Sequence, residues 1–195
     1  IGYYSMNDNI SGNTNISVGH YSMATSTIGD HNIAIGTNSL ETNILTTNAG
    51  NKNISIGFEN SKQSHVGNNL ISIGAKAMYD NSGGLNNLAI GEKSMHNNIS
   101  GESNIAIGEN SGFENIDGYH NIALGFDSMY SNERGTSNIA IGQSSARDNA
   151  DGSFNIGIGL QSMLSNLRGI SNVFVGEKSG YLSLIHISEP TRQLQ

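Results

Sequence analysis

Ten near-copies of one five-residue phrase constrain this chain more than any other feature. Residues 104–108 read N-I-A-I-G, and the phrase returns at 15–19, 32–36, 53–57, 70–74, 87–91, 121–125, 138–142, 155–159 and 172–176. Its closing glycines fall 17 residues apart, with one spacing of 21. Self-similarity at a fixed short period is the signature of a solenoid and takes precedence over any local motif. Written from its first letter, the repeat is N-I-A-I-G-x-x-S-M-x-x-N-x-x-G-x-x, here numbered as positions 1–17. All six methionines of the chain occupy position 9. The repeat is carried by Asn32, Ile33, Ile35 and Gly36 in one coil and by Asn104, Ile105, Ile107 and Gly108 in another. Met95 and Met129 stand in the methionine position, and Gly101 and Gly118 in the second glycine position.

Composition excludes an ordinary globular core. Apolar residues are 35% of the chain and charged residues 13%, with Asn, Ser and Gly filling the difference. Disorder would pair such polarity with high charge and no pattern, whereas here the few apolar residues keep strict time. The net charge of -7 and the absence of a basic cluster argue against a nucleic-acid partner. Without cysteine there is no disulfide framework or thiolate metal site. No apolar run reaches the length of a membrane-spanning helix.

Within N-I-A-I-G two large residues alternate with a small one, which is the period of a short strand. Ile33 and Ile35 point one way and Ala34 the other. The sequence reading sends the isoleucines inward and leaves the small position 3 (Ser17, Ala34, Ser55, Ser72, Ala89, Ala106, Ala123 and Ala140) open to a neighbouring chain. Glycines at positions 5 and 15 are expected to supply positive φ at fixed corners. The asparagines are expected to bond their own turns and to form ladders between stacked coils. One coil per repeat, at roughly 4.8 Å per coil, predicts an all-β, parallel β-solenoid on the order of 50 Å long. The segment S-M-x-x-N reads as a bent turn that closes the coil, with a capped helical turn or a second strand as alternatives. Met fills the irregular space between strand and return segment. In the helical alternative Ile10, Ile99, Ile116 and Leu167 face inward. Four extra residues within 44–49 form a surface bulge.

These phrases resemble the head repeats of YadA-like trimeric autotransporter adhesins. The longer form, with S-M-x-x-N-x-x-G, is similar to repeats of phage tail fibres. The resemblance covers residues 1–181. It implies a left-handed β-roll assembled as a homotrimer, a non-enzymatic role in attachment, and an extracellular place on a bacterial outer surface or a phage virion. It also implies a host-surface glycan or protein as receptor, and no cofactor.

Candidate chemistry is sparse. The six histidines, His20, His31, His65, His96, His120 and His186, form no stacked run that would ligate a metal. Acidic residues gather after the strand at Glu59, Glu92, Glu109, Asp127 and Glu177. Glu92 and Glu109, one coil apart, have a spacing suited to paired-carboxylate glycoside hydrolysis. They would be the acids of the alternative reading, a solenoid tailspike that cleaves surface polysaccharide. The N-I-S sequons at Asn9, Asn15, Asn53 and Asn98 are generated by the repeat and read as structural. Tyr3, Tyr4, Tyr21, Tyr79, Phe113, Tyr119, Phe126 and Tyr130 lie off the strand near corners, where exposed rings suit sugars or a receptor. An ice-binding solenoid would need a flat threonine ladder, and the threonines here form none.

The pattern stops after Tyr181. Residues 182–192 read L-S-L-I-H-I-S-E-P-T-R, which resembles the translation of a transposase sequencing adaptor. Residues 182–195 are therefore expected to be a non-native tail, and residues 1–181 a fragment of a longer fibre whose first letters, Ile1-Gly2, fall inside a repeat phrase.

Overall fold

The computed structural model of the chain describes residues 1–25, 29–41, 50–62 and 67–181. The expected bulge at 44–49 and the expected non-native tail lie outside them. The repeat phrases form ten three-residue strands. They are β1 (Ile16–Val18), β2 (Ile33–Ile35), β3 (Ile54–Ile56), β4 (Ile71–Ile73), β5 (Leu88–Ile90), β6 (Ile105–Ile107), β7 (Ile122–Leu124), β8 (Ile139–Ile141), β9 (Ile156–Ile158) and β10 (Val173–Val175). All pair in parallel, in chain order, in one sheet. Like meets like: Ile105 pairs with Ile122 and Ala106 with Ala123. The register runs unbroken across the 21-residue spacing, since Ile33 pairs with Ile54. The chain is a parallel β-solenoid with one repeat per coil.

The interior is the reverse of the sequence expectation. Position 3 faces inward: Ala34, Ser72, Ala89, Ala106 and Ala140 have no accessible surface. The isoleucines on either side face outward, with Ile35 and Ile107 38% and 39% exposed. The reason is volume. Across the coil, position 3 meets position 9, which holds the buried Met23, Met78, Met95, Met129 and Met163. A Cβ added to Gly157, at position 3, would already lie 3.4 Å from the Met163 Cβ and 3.0 Å from the Ser145 Oγ. With a methionine on one wall, only Ala, Ser or Gly fits on the other. The last coil shows the exchange in the opposite direction. Phe174 stands at position 3 and Gly180 at position 9, and a Cβ on Gly180 would collide with the Phe174 ring.

The return segment is a chain of turns, and no helix forms among the described residues. Ile10, Ile99, Ile116 and Leu167 therefore point to solvent rather than inward, because the neighbouring asparagine at position 12 takes the interior place. Serine at position 8 does not cap a helix. Its hydroxyl donates to the strand carbonyl of the next coil, as in Ser94 Oγ to Ala106 O at 3.0 Å and Ser128 Oγ to Ala140 O at 3.1 Å.

Turning is shared between glycines and ordinary residues. Gly108 at position 5 has φ +137°, and a Cβ there would lie 2.5 Å from the Gly125 carbonyl oxygen. Gly36 repeats this geometry at φ +130°. Position 15 differs from expectation. Gly101 and Gly118 are outside the positive-φ set, and they are glycine because coils approach closely: a Cβ on Gly118 would sit 2.7 Å from the Gly135 oxygen. The left-handed conformation falls instead on positions 7, 9 and 17, including Lys93 (φ 53°), Met95 (φ 48°) and Ser103 (φ 56°). Each non-glycine residue held there costs roughly 1–2 kcal/mol locally, which the stacked hydrogen bonds must offset.

Two buried asparagine columns supply many of those bonds. At position 1 the Asn104 backbone amide donates to Asn87 Oδ1 (2.8 Å) and its side chain donates to the Gly118 carbonyl (2.7 Å). Asn32 does the same with Asn15 and Gly50. At position 12 each Nδ2 donates to the Oδ1 of the coil before, running from Asn166 to Asn149, Asn132, Asn115, Asn98 and Asn81. The ladders expected from the sequence are present, and they are buried.

The coil that begins at Asn104 has glycine in the methionine position. Gly112 occupies position 9 with φ +59°, opposite an ordinary Ala106, and a small cavity lined by Met95, Ala106, Gly112, Ala123 and Met129 results. Gly112→Met is expected to stabilise the chain. Burying the side chain is worth roughly 1.5–3 kcal/mol, against a left-handed backbone cost of about 1–2 kcal/mol. The urea midpoint should rise. An unchanged or lower midpoint would mean that Met95 and Met129 already fill the space.

Candidate functional surfaces

The outward isoleucines make the largest feature of the surface. Positions 2 and 4 are aliphatic in all ten strands, from Ile16 and Val18 to Val173 and Val175. Ile33 and Ile105 stand in the first column and Ile35 and Ile107 in the second, all partly exposed. Parallel in-register pairing places each residue over its counterpart, so the two columns run along the sheet without a break. Twenty half-exposed aliphatic side chains amount to on the order of 1,000 Å², against roughly 300–600 Å² for the largest apolar patch of a typical monomer. The remaining repeat residues, Asn32, Gly36, Asn104, Gly108, Met95, Met129, Gly101 and Gly118, build the coil that carries this face.

The acidic corner has different character. Glu109 is exposed. Glu92 is 56% exposed and lies 3.7 Å from the Lys93 ammonium. Both stand on the open turn after the strand, away from the one interior cavity described above. Glu59 is more engaged: Lys62 lies 3.1 Å and Lys76 3.5 Å away. The Lys62 hydrogen bond, followed by the charges of Lys62 and Lys76, holds the Glu59 carboxyl below its ordinary range. Among the described residues no three His, Cys, Asp or Glu side chains gather as a metal site, and no helix is long and apolar enough to cross a membrane. Two of the sequon asparagines, Asn53 and Asn98, are buried in the ladders, which agrees with their structural reading.

The aromatic residues divide into two groups. Tyr3 and Tyr4 cluster with His20 and Tyr21, with Tyr4 and Tyr21 stacked at 5.2 Å. Tyr79, Phe113 and Tyr130 share position 10 with His96 and stack into a single row. The sequence reading missed this row because it took the histidines apart from the tyrosines and phenylalanines, and His96 is the link between Tyr79 and Phe113. Reading position 10 alone, 79, 96, 113 and 130, would have found it. Tyr119 and Phe126 are exposed on other corners.

Comparison of the chain with protein-family models, with curated proteins and with solved structures found no match.

Proposed function

We propose that this chain is a structural and adhesive segment of a surface fibre, carried outside the cell on a bacterium or a phage particle. In this reading three copies pack through the two aliphatic columns. The observation that carries it is the uninterrupted apolar face. A continuous strip of that size is costly to leave in water, and it matches the roughly 800 Å² per partner of a standard interface. Packing three such strips around one axis would bury them along the whole rod and leave the corners outward. The stacked coils give stiffness, and repeated corners present weak contacts to a host-surface glycan or protein multivalently. Kinship with YadA-like head repeats or tail-fibre repeats belongs to the same proposal. The partner face differs from the sequence expectation: it is the isoleucine face, since the alanine face lines the interior.

The test is the mass of the full chain in sedimentation equilibrium at micromolar concentration. Three times 20.6 kDa is the expected result; a monomer or dimer overturns the three-fold assembly. Ile107→Lys combined with Ile141→Lys should give a folded monomer, because each places a charge at the centre of the strip and neither side chain is buried within its own coil.

A further inference from the structure

The apolar core of the rod falls into two parts. One joins Met6, Met23, Ala34 and Leu40, and the other runs from Leu70 and Met78 to Met163 and Phe174. Between them lies the coil of residues 53–69, where no apolar side chain is buried among the described residues. Ser61 stands there in the methionine position and Asn60 in the serine position. The interior is a cluster of hydroxyls instead. Ser55 Oγ (2.6 Å), Ser61 Oγ (3.1 Å) and Ser72 Oγ all donate to Asn60 Oδ1, and Ser39 Oγ lies 2.8 Å from Ser55 Oγ. Hydrogen bonds of this kind replace bonds to water and add little net stability, whereas apolar burial is the dominant favourable term. In a linear stack each coil is coupled only to its neighbours. A coil without apolar burial therefore divides the stack into units that open separately.

A chain of ion pairs crosses this coil on the outside. Glu41 belongs to the coil before it, Glu59 and Lys62 to the polar coil, and Lys76 to the coil after it. The Lys62 ammonium lies 3.4 Å from Glu41 and 3.1 Å from Glu59, and Glu59 lies 3.5 Å from Lys76. Glu41, Glu59 and Lys62 are only 18–24% exposed, so salt screens them less than an open surface pair. Glu41 Oε2 is itself buried without a hydrogen bond, and the Lys62 charge compensates it. The other ion pairs among the described residues differ. Glu92 with Lys93 and Glu177 with Lys178 join neighbours in one coil, and the Asp151 pairs use the open Arg134 and Arg168. We propose that residues 53–69 form an acid-sensitive joint, at which the units 1–41 and 70–181 open separately unless Glu41, Lys62, Glu59 and Lys76 staple them together.

The direction of the pH effect follows from Glu59. The Lys62 hydrogen bond, followed by the charges of Lys62 and Lys76, holds its carboxyl below the ordinary range against the opposing effect of burial. Its contribution is complete above the ordinary glutamate value of about 4.3 and is lost as pH falls through the depressed folded value. Lys62 and Lys76 are the charges that face Glu59, and Lys62 in turn faces Glu41, Glu59 and Tyr79.

The test is hydrogen exchange of the full chain, read by mass spectrometry as protection factors at pH 7 and pH 3. Acid is expected to lower protection about tenfold across 16–40 and to leave 88–158 within about twofold. Asp30 also accepts a backbone hydrogen bond in the first unit, from the Asn13 amide at 2.7 Å, so variants assign the effect to the staple. Lys62→Met and Glu59→Gln should each lower protection of 16–40 about threefold at pH 7 and respond less to acid than the unaltered chain. Asn60→Ser combined with Ser61→Met restores the residues of the regular repeat, for which buried Ser72 and Met78 of the next coil are the precedent. That variant should keep 16–40 protected at pH 3. An acid loss spread evenly over both units, or no loss in 16–40, overturns the joint. So do Lys62→Met and Glu59→Gln chains that match the unaltered one at both pH values. An undiminished acid loss in the folded repair variant overturns the polar coil as its cause. If the repair variant does not fold, the two staple variants still decide the outcome.

Discussion

Ala89→Leu is expected to cost about 3 kcal/mol or more of stability in urea unfolding, at or above the upper end of what an overpacked core loses. Ala89 has no accessible surface and stands across its coil from the buried Met95. Leucine adds three carbons where a single methyl already fills the gap, and neither wall can retreat without breaking the stack above and below. The companion variant makes the argument specific. Ala106→Leu places the same side chain opposite Gly112, beside the cavity, and should cost far less. Phe174 opposite Gly180 is the chain's own precedent for that pairing. If position 3 faced a partner chain, as the sequence alone suggested, both variants would fold normally as single chains and differ only in assembly. Equal, small losses in the two variants would therefore refute the inward placement.

Asn132→Leu should be nearly as damaging, by about 2–4 kcal/mol, although the two side chains are similar in size. Asn132 is fully buried. Its amide donates to Asn115 Oδ1 at 2.9 Å and to the Gly135 carbonyl at 3.0 Å, and its oxygen accepts from Asn149 at 3.0 Å. Leucine removes all three bonds and leaves the Asn115 oxygen and one Asn149 proton without these partners. A buried polar group left unpaired costs roughly 1–3 kcal/mol. In a repeat stack the damage stays near its coil, because each coil contacts only its neighbours. Hydrogen exchange should therefore show lost protection centred on residues 115–149, with the distant coils at 15–36 unchanged. A uniform loss along the whole rod would show that the stack unfolds as one unit.

Both substitutions touch residues whose roles were unequally legible beforehand. The asparagine ladders could be foreseen, because a polar side chain repeated at one position of a parallel stack has its own copy as nearest neighbour. The glycines were foreseen as corners, yet of the two glycine positions only position 5 has positive φ in every coil, and position 15 has it at Gly29 but not at Gly101 or Gly118. Position 15 is glycine because two asparagine amides and the backbone oxygen of the next coil crowd the place a Cβ would take, as at Gly101 and Gly118. That reason depends on distances between coils, which no single repeat contains. The left-handed conformation at position 9 gives no compositional sign, since Met95 and Leu40 are not residues that favour it, and at positions 7 and 17 the favouring Asn38, Asn110, Asn69 and Asn86 are mixed with Lys93 and Ser103. Stacking imposes it on them.

What the sequence by itself determined is the period, and with it the strands, their order and their register. A five-residue phrase recurring every 17 residues can satisfy its hydrogen bonds and its like-with-like packing in one parallel stack only. Which side of each strand is the inside was decided by tertiary structure. Alternation of period two marks two faces and is symmetric between them, and hydropathy favours the isoleucines as core. The closed coil is too narrow for isoleucine opposite methionine, so volume overrode hydropathy. Alanine went inside, and the isoleucines were left as a strip for something else to cover.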